Sequence, residues 1–352
     1  MRTVAVIQPG ELKIVEIPMP EVGPYDVLVR TEVSFICNAT DRKVIDGHFP
    51  GLGPENYPLL LGHESVGTVV KTGPKVRSFS IGDRTIGGLL LNPPGGVYGS
   101  GWGGHSEYVV INDHEAMAAD GVADAEHGWD DSLQIMRTVP GDIPLESAGL
   151  LCTWREVYAG LFTDFRMREG DSLMVFGAGP VGLSFVKFAR LFGAGTVVSI
   201  DVLENKREKA LAMGADAAFH PDDPNLAGYR RDRGAGFDLV VDAVGRESII
   251  NAALPMVKMG GTIGIYGVLS EPVIALSKSE GPLNFDLIVH QWPTREAEAA
   301  AQEPLIEWIR AGSLDWRDFV TARFPVTRIA EAVEAVREPT AIKTMLLLDD
   351  WG

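Results

Sequence analysis

The sequence predicts an α/β protein built around a doubly wound parallel sheet, joined to a mostly-β half. Three observations carry that expectation. Short apolar runs alternate with helical stretches between about residues 154 and 270, a glycine loop lies between strand and helix within that region, and the first 112 residues or so are short β-like runs broken by Gly and Pro. At 352 residues the chain is long enough for two domains, each with its own core.

In chain order, residues 3–7, 27–32, 66–71 and 106–111 read as strands of the mostly-β half. Residues 113–135 carry many acids and few large apolar groups, and read as a surface insertion. Residues 172–176 (Ser-Leu-Met-Val-Phe) form a buried parallel strand, and 183–192 continue with apolar residues at helical spacing. Then follow a strand at 197–200, a helix at 204–213, a strand at 239–241, a helix at 249–257 and a strand at 262–266. Helices at 304–311 and 329–336 and a closing strand at 345–348 are expected to return the tail to the first domain.

The glycine loop is Gly177-Ala178-Gly179-Pro180-Val181-Gly182. Gly177 allows a tight turn, Gly179 lets backbone approach a pyrophosphate, and Gly182 lets the helix pack close to the sheet. The helix N-terminus offers free N–H groups to the phosphates. Asp201 stands nineteen residues after Gly182, at the end of the next strand. A carboxylate there accepts hydrogen bonds from ribose hydroxyls and repels a 2′-phosphate, which points to NAD over NADP.

The net charge of −17 argues against nucleic acid and anionic membrane as partners. It fits either simple solubility or a salt-rich habitat. No run approaches the roughly 18 apolar residues of a membrane span, and the first residues read as a strand instead of a signal peptide, so cytoplasmic residence is expected. Two cysteines, Cys37 and Cys152, are too few for a disulfide framework; they are buried thiols or they meet at a site. With His63 and Glu64 they make four candidate metal ligands. Two thiolates and an imidazole suit Zn²⁺, with a position left open for water or substrate.

These residues carry a resemblance to the zinc-dependent medium-chain dehydrogenase/reductase superfamily, the alcohol and polyol dehydrogenases. It covers essentially the whole chain: Gly62-His63-Glu64-Ser65-Val66-Gly67, Gly82-Asp83-Arg84, Gly103-Gly104-His105-Ser106-Glu107-Tyr108, the glycine loop and the strand segment at Lys343. The 25 residues from Cys152 to Gly177 equal the family's step from the last catalytic zinc cysteine to the glycine loop. The resemblance implies a GroES-like catalytic domain at 1–153, a Rossmann domain at 154–292 that binds NAD, and a return to the catalytic domain at 293–352. It implies one catalytic zinc on Cys37, His63 and Cys152, with Glu64 either a further ligand or a close neighbour.

The chain departs from the family pattern in three places. Thr40 follows Cys37 by three residues, so counting from Val27 puts Cys37 in the ligand position and counting back from Thr40 puts Asn38 there. A thiolate is the better zinc ligand, which favours Cys37. The four-cysteine lobe of many relatives is replaced by residues 88–101, so no structural zinc is expected. Glu156, one helical turn beyond Cys152, stands where many polyol-oxidising relatives have a glutamate nearby, within reach of metal or nicotinamide.

By resemblance, Thr40 takes the alcohol proton, Asp41 orients His63, and Lys43 or His48 stands where relatives relay that proton onward. Asp201 and Lys206 flank the ribose, and Val244, Gly245, Tyr266, Gly267 and Val268 end strands near ribose and nicotinamide. Residues 40–49, Trp102 and Trp154 line the substrate pocket. The implied reaction is NAD-dependent oxidation of an alcohol, polyol or sugar hydroxyl by a homodimer or homotetramer. The alternatives are a zinc-free NAD(P)H-dependent enone or quinone reductase, or a noncatalytic nucleotide-binding relative on the same fold.

Overall fold

The structure is a computed structural model that describes residues 1–226, 236–269, 271–349 and 351. The chain divides into two compact units, Met1–Cys152 with Gln302–Gly352, and Thr153–Ala301. The second division falls nine residues beyond the sequence-based boundary at 292/293, because the helix Arg295–Ala300 packs with the second unit.

The first unit opens with β1 (Arg2–Gln8) and β2 (Glu11–Glu16), an antiparallel pair. Next come β3 (Asp26–Ile36), α1 (Thr40–Ile45), β4 (Leu59–Leu61), β5 (Ser65–Thr72), β6 (Arg84–Ile86), β7 (Gly99–Gly101), β8 (Tyr108–Asn112), α2 (His114–Ala119), β9 (Arg137–Thr138) and α3 (Leu145–Tyr158). The division between units falls inside α3.

The second unit carries β10 (Ser172–Phe176), α4 (Pro180–Phe192), β11 (Thr196–Ile200), α5 (Glu204–Ala212), β12 (Ala217–Phe219), β13 (Phe237–Asp242), the helix Glu247–Ala253, β14 (Val257–Ile265) and β15 (Asp286–Val289). All its strand pairs are parallel, in the order β12-β11-β10-β13-β14-β15. That is the doubly wound order, with the first strand central and the direction of winding reversing beside it. Met174, Val198, Val240, Ile263 and Leu254 build its core, each buried apolar side chain contributing about 1.5–3 kcal/mol. The helix expected at 249–257 stops at Ala253, because Val257 pairs with Phe237 and begins β14. Its apolar spacing suits a helix, and strand pairing overrides it.

The tail returns to the first unit with β16 (Val320–Pro325) and β17 (Lys343–Leu347). β17 runs parallel to β16 and antiparallel to β3, completing the order β16-β17-β3-β5-β6-β9, with β8 also on β3. A second sheet has the order β2-β1-β4-β7. Val4, Ile36, Val44, Leu61, Leu346 and Trp351 fill the core beside the metal-ligand candidates.

Residues 113–135 are more than a surface excursion. Asp113 is fully buried and accepts bonds from the backbone N–H groups of Ala116, Arg77 and Ser78 at 2.9, 2.6 and 2.7 Å. Burial pushes its carboxyl up, and those donors outweigh it and hold it below the usual range. The cap starts α2, whose Ala116 and Met117 join Leu133 in a core that also receives Trp129. Few large residues, well spaced, suffice to anchor the segment.

Candidate metal centre and nucleotide loop

The loop after β3 is closed by its own side chains. Asp41, fully buried at the start of α1, accepts from the Cys37 backbone N–H at 2.8 Å, and the Thr40 N–H reaches the Cys37 sulfur at 3.5 Å. This turn places the thiol beside His63 and Glu64. Asn38 points elsewhere, its amide donating to the carbonyl of Ile342 at 3.4 Å.

His63 and Glu64 leave the end of β4 through Gly62, whose φ of +102° favours glycine. One ligand atom each from Cys37, His63 and Glu64 lies within 4.8 Å of the others. His63 turns Nδ1 toward Asp41 Oδ1 at 3.3 Å and Nε2 toward Glu64 Oε1 at 3.8 Å. Zinc bonds of about 2.0–2.3 Å in a tetrahedron put neighbouring ligand atoms roughly 3.3–3.8 Å apart; the His63–Glu64 separation meets that spacing, and thiolate, imidazole and carboxylate are all donors that zinc accepts. Cys152, the fourth candidate, is buried on α3 and lies outside this group of three. Neither cysteine is in a disulfide.

The charges of the metal-free site interlock, and a metal ion bound there would displace the His63 proton. Burial pushes the Cys37 thiol up, but neighbouring His63, and Lys343 beyond it, outweigh burial and bring it below its usual value. Burial lowers His63 and Asp41 outweighs it, so the imidazole lies well above its usual range. Asp41 is raised by burial and lowered further by His63 and His105, ending below the usual carboxylate range.

Sequence reasoning gave no role to Lys343. Its ammonium donates to both oxygens of Glu64, at 2.5 and 2.6 Å, and both residues are only 3% exposed. Burial lowers the Lys343 pKa, and Glu64 more than restores it, to above the usual value. No spacing rule could have found a partner 279 residues away. Among the other candidates, Thr40 and Lys43 are partly buried on α1 and His48 is exposed. Trp102, with φ +70°, stands edge-on to both His63 and Phe49 at ring distances of 5.5 and 5.4 Å. A left-handed tryptophan is strained by about 1–3 kcal/mol, and that strain is held where the ring walls the imidazole.

In the second unit Gly177 has φ +93°, Gly179 caps α4, and Pro180 and Val181 begin it. A Cβ on Gly182 would lie 1.7 Å from the Gly177 carbonyl, whereas one on Gly179 would meet nothing within 4 Å. The first glycine is thus demanded by packing, and the second leaves its backbone open to a ligand. Asp201 accepts from the N–H groups of Ala178 at 2.7 Å and Leu203 at 2.9 Å, tying the loop to the end of β11. Lys206 is 8% exposed, and burial depresses its pKa despite Asp201. The Val244 and Gly245 N–H groups are held by buried Asp242 at 2.8 and 2.9 Å, and Gly267 donates to the Asp242 carbonyl at 3.0 Å. Val268 directly follows on the same loop. Glu156 accepts from the Tyr266 hydroxyl at 3.3 Å. Trp154, expected to line a pocket, is fully buried and packs on Phe188.

Residues 23–121 match the family model for an alcohol dehydrogenase GroES-like domain, and residues 180–290 that for a zinc-binding dehydrogenase. An alcohol dehydrogenase of Cupriavidus necator is 28% identical over 308 residues, 77% of each chain. A sorbitol dehydrogenase of Bombyx mori is 25% identical, covering 96% of this chain and 95% of its own. In fold, the chain is similar to an alcohol dehydrogenase from Thermus sp., with TM-score 0.80, 24% identity, and coverage of 99% of this chain and 100% of the other. Among the described residues no helix is long and apolar enough to cross a membrane. With a GroES-like half, a doubly wound nucleotide half and relatives that act on hydroxyl groups, the chain belongs to the zinc-dependent medium-chain dehydrogenase/reductase superfamily of oxidoreductases.

Proposed function

We propose that the protein oxidises the hydroxyl of an alcohol, polyol or sugar, using NAD and one zinc ion per chain. The observation that carries this reading is the gathering of Cys37, His63 and Glu64 ligand atoms within 4.8 Å of one another. Cys37 and His63 would hold the ion, with Cys152 from α3, outside that group of three, as the ligand the resemblance adds, while Lys343 keeps Glu64 as a neutralised neighbour. Bound there, zinc supplies a Lewis acid that makes a hydroxyl more acidic, and NAD supplies the hydride acceptor. Asp41 fixes the His63 tautomer by facing Nδ1, which leaves Nε2 for the metal. The Thr40 hydroxyl receives the proton leaving the substrate, and Lys43 or His48 passes it toward solvent. Trp102 and Phe49 wall the substrate beside His63. The open backbone at Gly179 and the start of α4 receive the pyrophosphate, Asp201 and Lys206 flank the ribose, and Val244, Gly267 and Val268 border ribose and nicotinamide. A cytoplasmic homodimer or homotetramer completes the reading, supported by edge strand β15, on which Leu287 and Val289 are exposed.

The purified protein is expected to carry about one zinc per chain and to form NADH from members of a panel of alcohols, polyols and sugars. A folded, fully active, zinc-free protein would overturn the metal assignment. For the cofactor, Asp201→Ala is expected to lower kcat/KM with NAD by about tenfold or more, the worth of hydrogen bonds to one charged group. Use of NADP should rise, because the carboxylate that repels a 2′-phosphate is gone. An unchanged ratio of the two cofactors would assign the ribose contact to another residue.

A further inference from the structure

We infer that His105 is a second positioning histidine of the metal site, acting through Asp41 on His63. The inference rests on the metal-site reading above. His105 is fully buried, and its backbone is fixed to the end of β4 by a bond from its N–H to the Leu61 carbonyl at 3.0 Å. Its ring lies beneath the turn that carries His63: a Cβ on Gly62 would sit 2.4 Å from it. The chain has made room for this imidazole by leaving out a side chain at Gly62, directly before His63.

Both ring nitrogens have defined surroundings. Nδ1 is 2.8 Å from the Ser34 hydroxyl, and Nε2 is 3.5 Å from Asp41 Oδ2. A bare Nε2 lone pair facing a buried carboxylate would be repelled, so Nε2 carries a hydrogen directed at Asp41. Ser34 accommodates this in either charge state. With one hydroxyl hydrogen, Ser34 either donates a hydrogen bond to Nδ1, or donates to the Glu64 carbonyl at 3.0 Å, whose second lone pair takes the Phe35 N–H, and accepts from Nδ1. Asp41 therefore stands between two imidazoles, with His63 Nδ1 at 3.3 Å from its other oxygen.

Asp41 Oδ1, His63 Nδ1 and His105 Nε2 are all buried without a closed hydrogen bond: Oδ1 faces His63 Nδ1, and His105 Nε2 faces Oδ2, which also accepts from the Cys37 N–H. One consequence follows. His105 holds the carboxylate in the orientation His63 needs, which bears on how well His63 binds a cation, as partners behind a metal-bound histidine generally do.

The test is the zinc affinity of the full-length protein, by competition with a chromogenic chelator, alongside kcat and KM. His105→Phe is expected to weaken zinc about 10–100-fold, the range for such partners. His105→Gln, whose amide N–H can take the place of Nε2–H, should come back to within about threefold of the parent. Adding His105→Phe to Asp41→Asn should cost nothing beyond Asp41→Asn alone, because the histidine acts through that carboxylate. Ser34→Ala leaves the imidazole in place, removes what orients it, and should weaken zinc by several-fold, which keeps the test alive should the phenylalanine variant not fold. Zinc affinity unchanged in His105→Phe or in Ser34→Ala, equal losses in the Phe and Gln variants, or additive losses with Asp41→Asn would each overturn the inference while leaving the metal site standing. A parent protein that binds no zinc would overturn both.

Discussion

Lys343→Met is expected to destabilise the metal-free protein by about 3–5 kcal/mol in urea unfolding, the cost of leaving one member of a buried ion pair without its partner. Glu64 and Lys343 are each 3% exposed and joined through both carboxylate oxygens, so solvent cannot take over when the ammonium is removed. With zinc present the loss should shrink, because the cation then offsets the stranded carboxylate. The double variant Glu64→Gln, Lys343→Met should recover most of the stability, since a buried pair replaced as a whole is often neutral. A single variant within about 1 kcal/mol of the parent, with and without zinc, would mean that water reaches Glu64 and that the pair carries little weight.

Cys37→Ser should have the largest effect on activity. Removal of the thiolate from the Cys37, His63 and Glu64 group is expected to leave well under one zinc per chain and to lower kcat/KM by on the order of 10³-fold, about 4 kcal/mol of transition-state stabilisation. NADH binding, proposed for the glycine loop, should be retained. Asn38→Ala is the control for the loop register: its amide contacts the Ile342 carbonyl, so its zinc content should match the parent. If Asn38→Ala lost the metal and Cys37→Ser kept it, the register would be reversed.

What the sequence made legible follows the range of the forces involved. The β10–glycine loop–α4 unit was readable because each part is local: an apolar run, glycines demanded by close packing, then an amphipathic helix. Asp41 beside His63 and the doubly wound order were also reachable, the first through family resemblance and the second through alternation of elements. Trp154 was misread because exposure of a single aromatic residue on a helix is decided by what packs there, in this case Phe188. Lys343 and His105 went unassigned for a common reason. Each acts across a fold contact with no sequence period, β17 against β3 for one and the His105 backbone against the end of β4 for the other. The loop after Cys37 is ambiguous by one residue in the sequence, because the contact by which Asp41 closes it onto the Cys37 N–H leaves no pattern there.

The position of Lys343 also sets an order of events in time. It follows Glu64 by 279 residues, so on the ribosome Cys37, His63 and Glu64 emerge and begin to fold long before their counter-charge exists. β17 lies between β16 and β3, so the ammonium that accompanies Glu64 into the interior arrives with the last strand of this sheet in chain order.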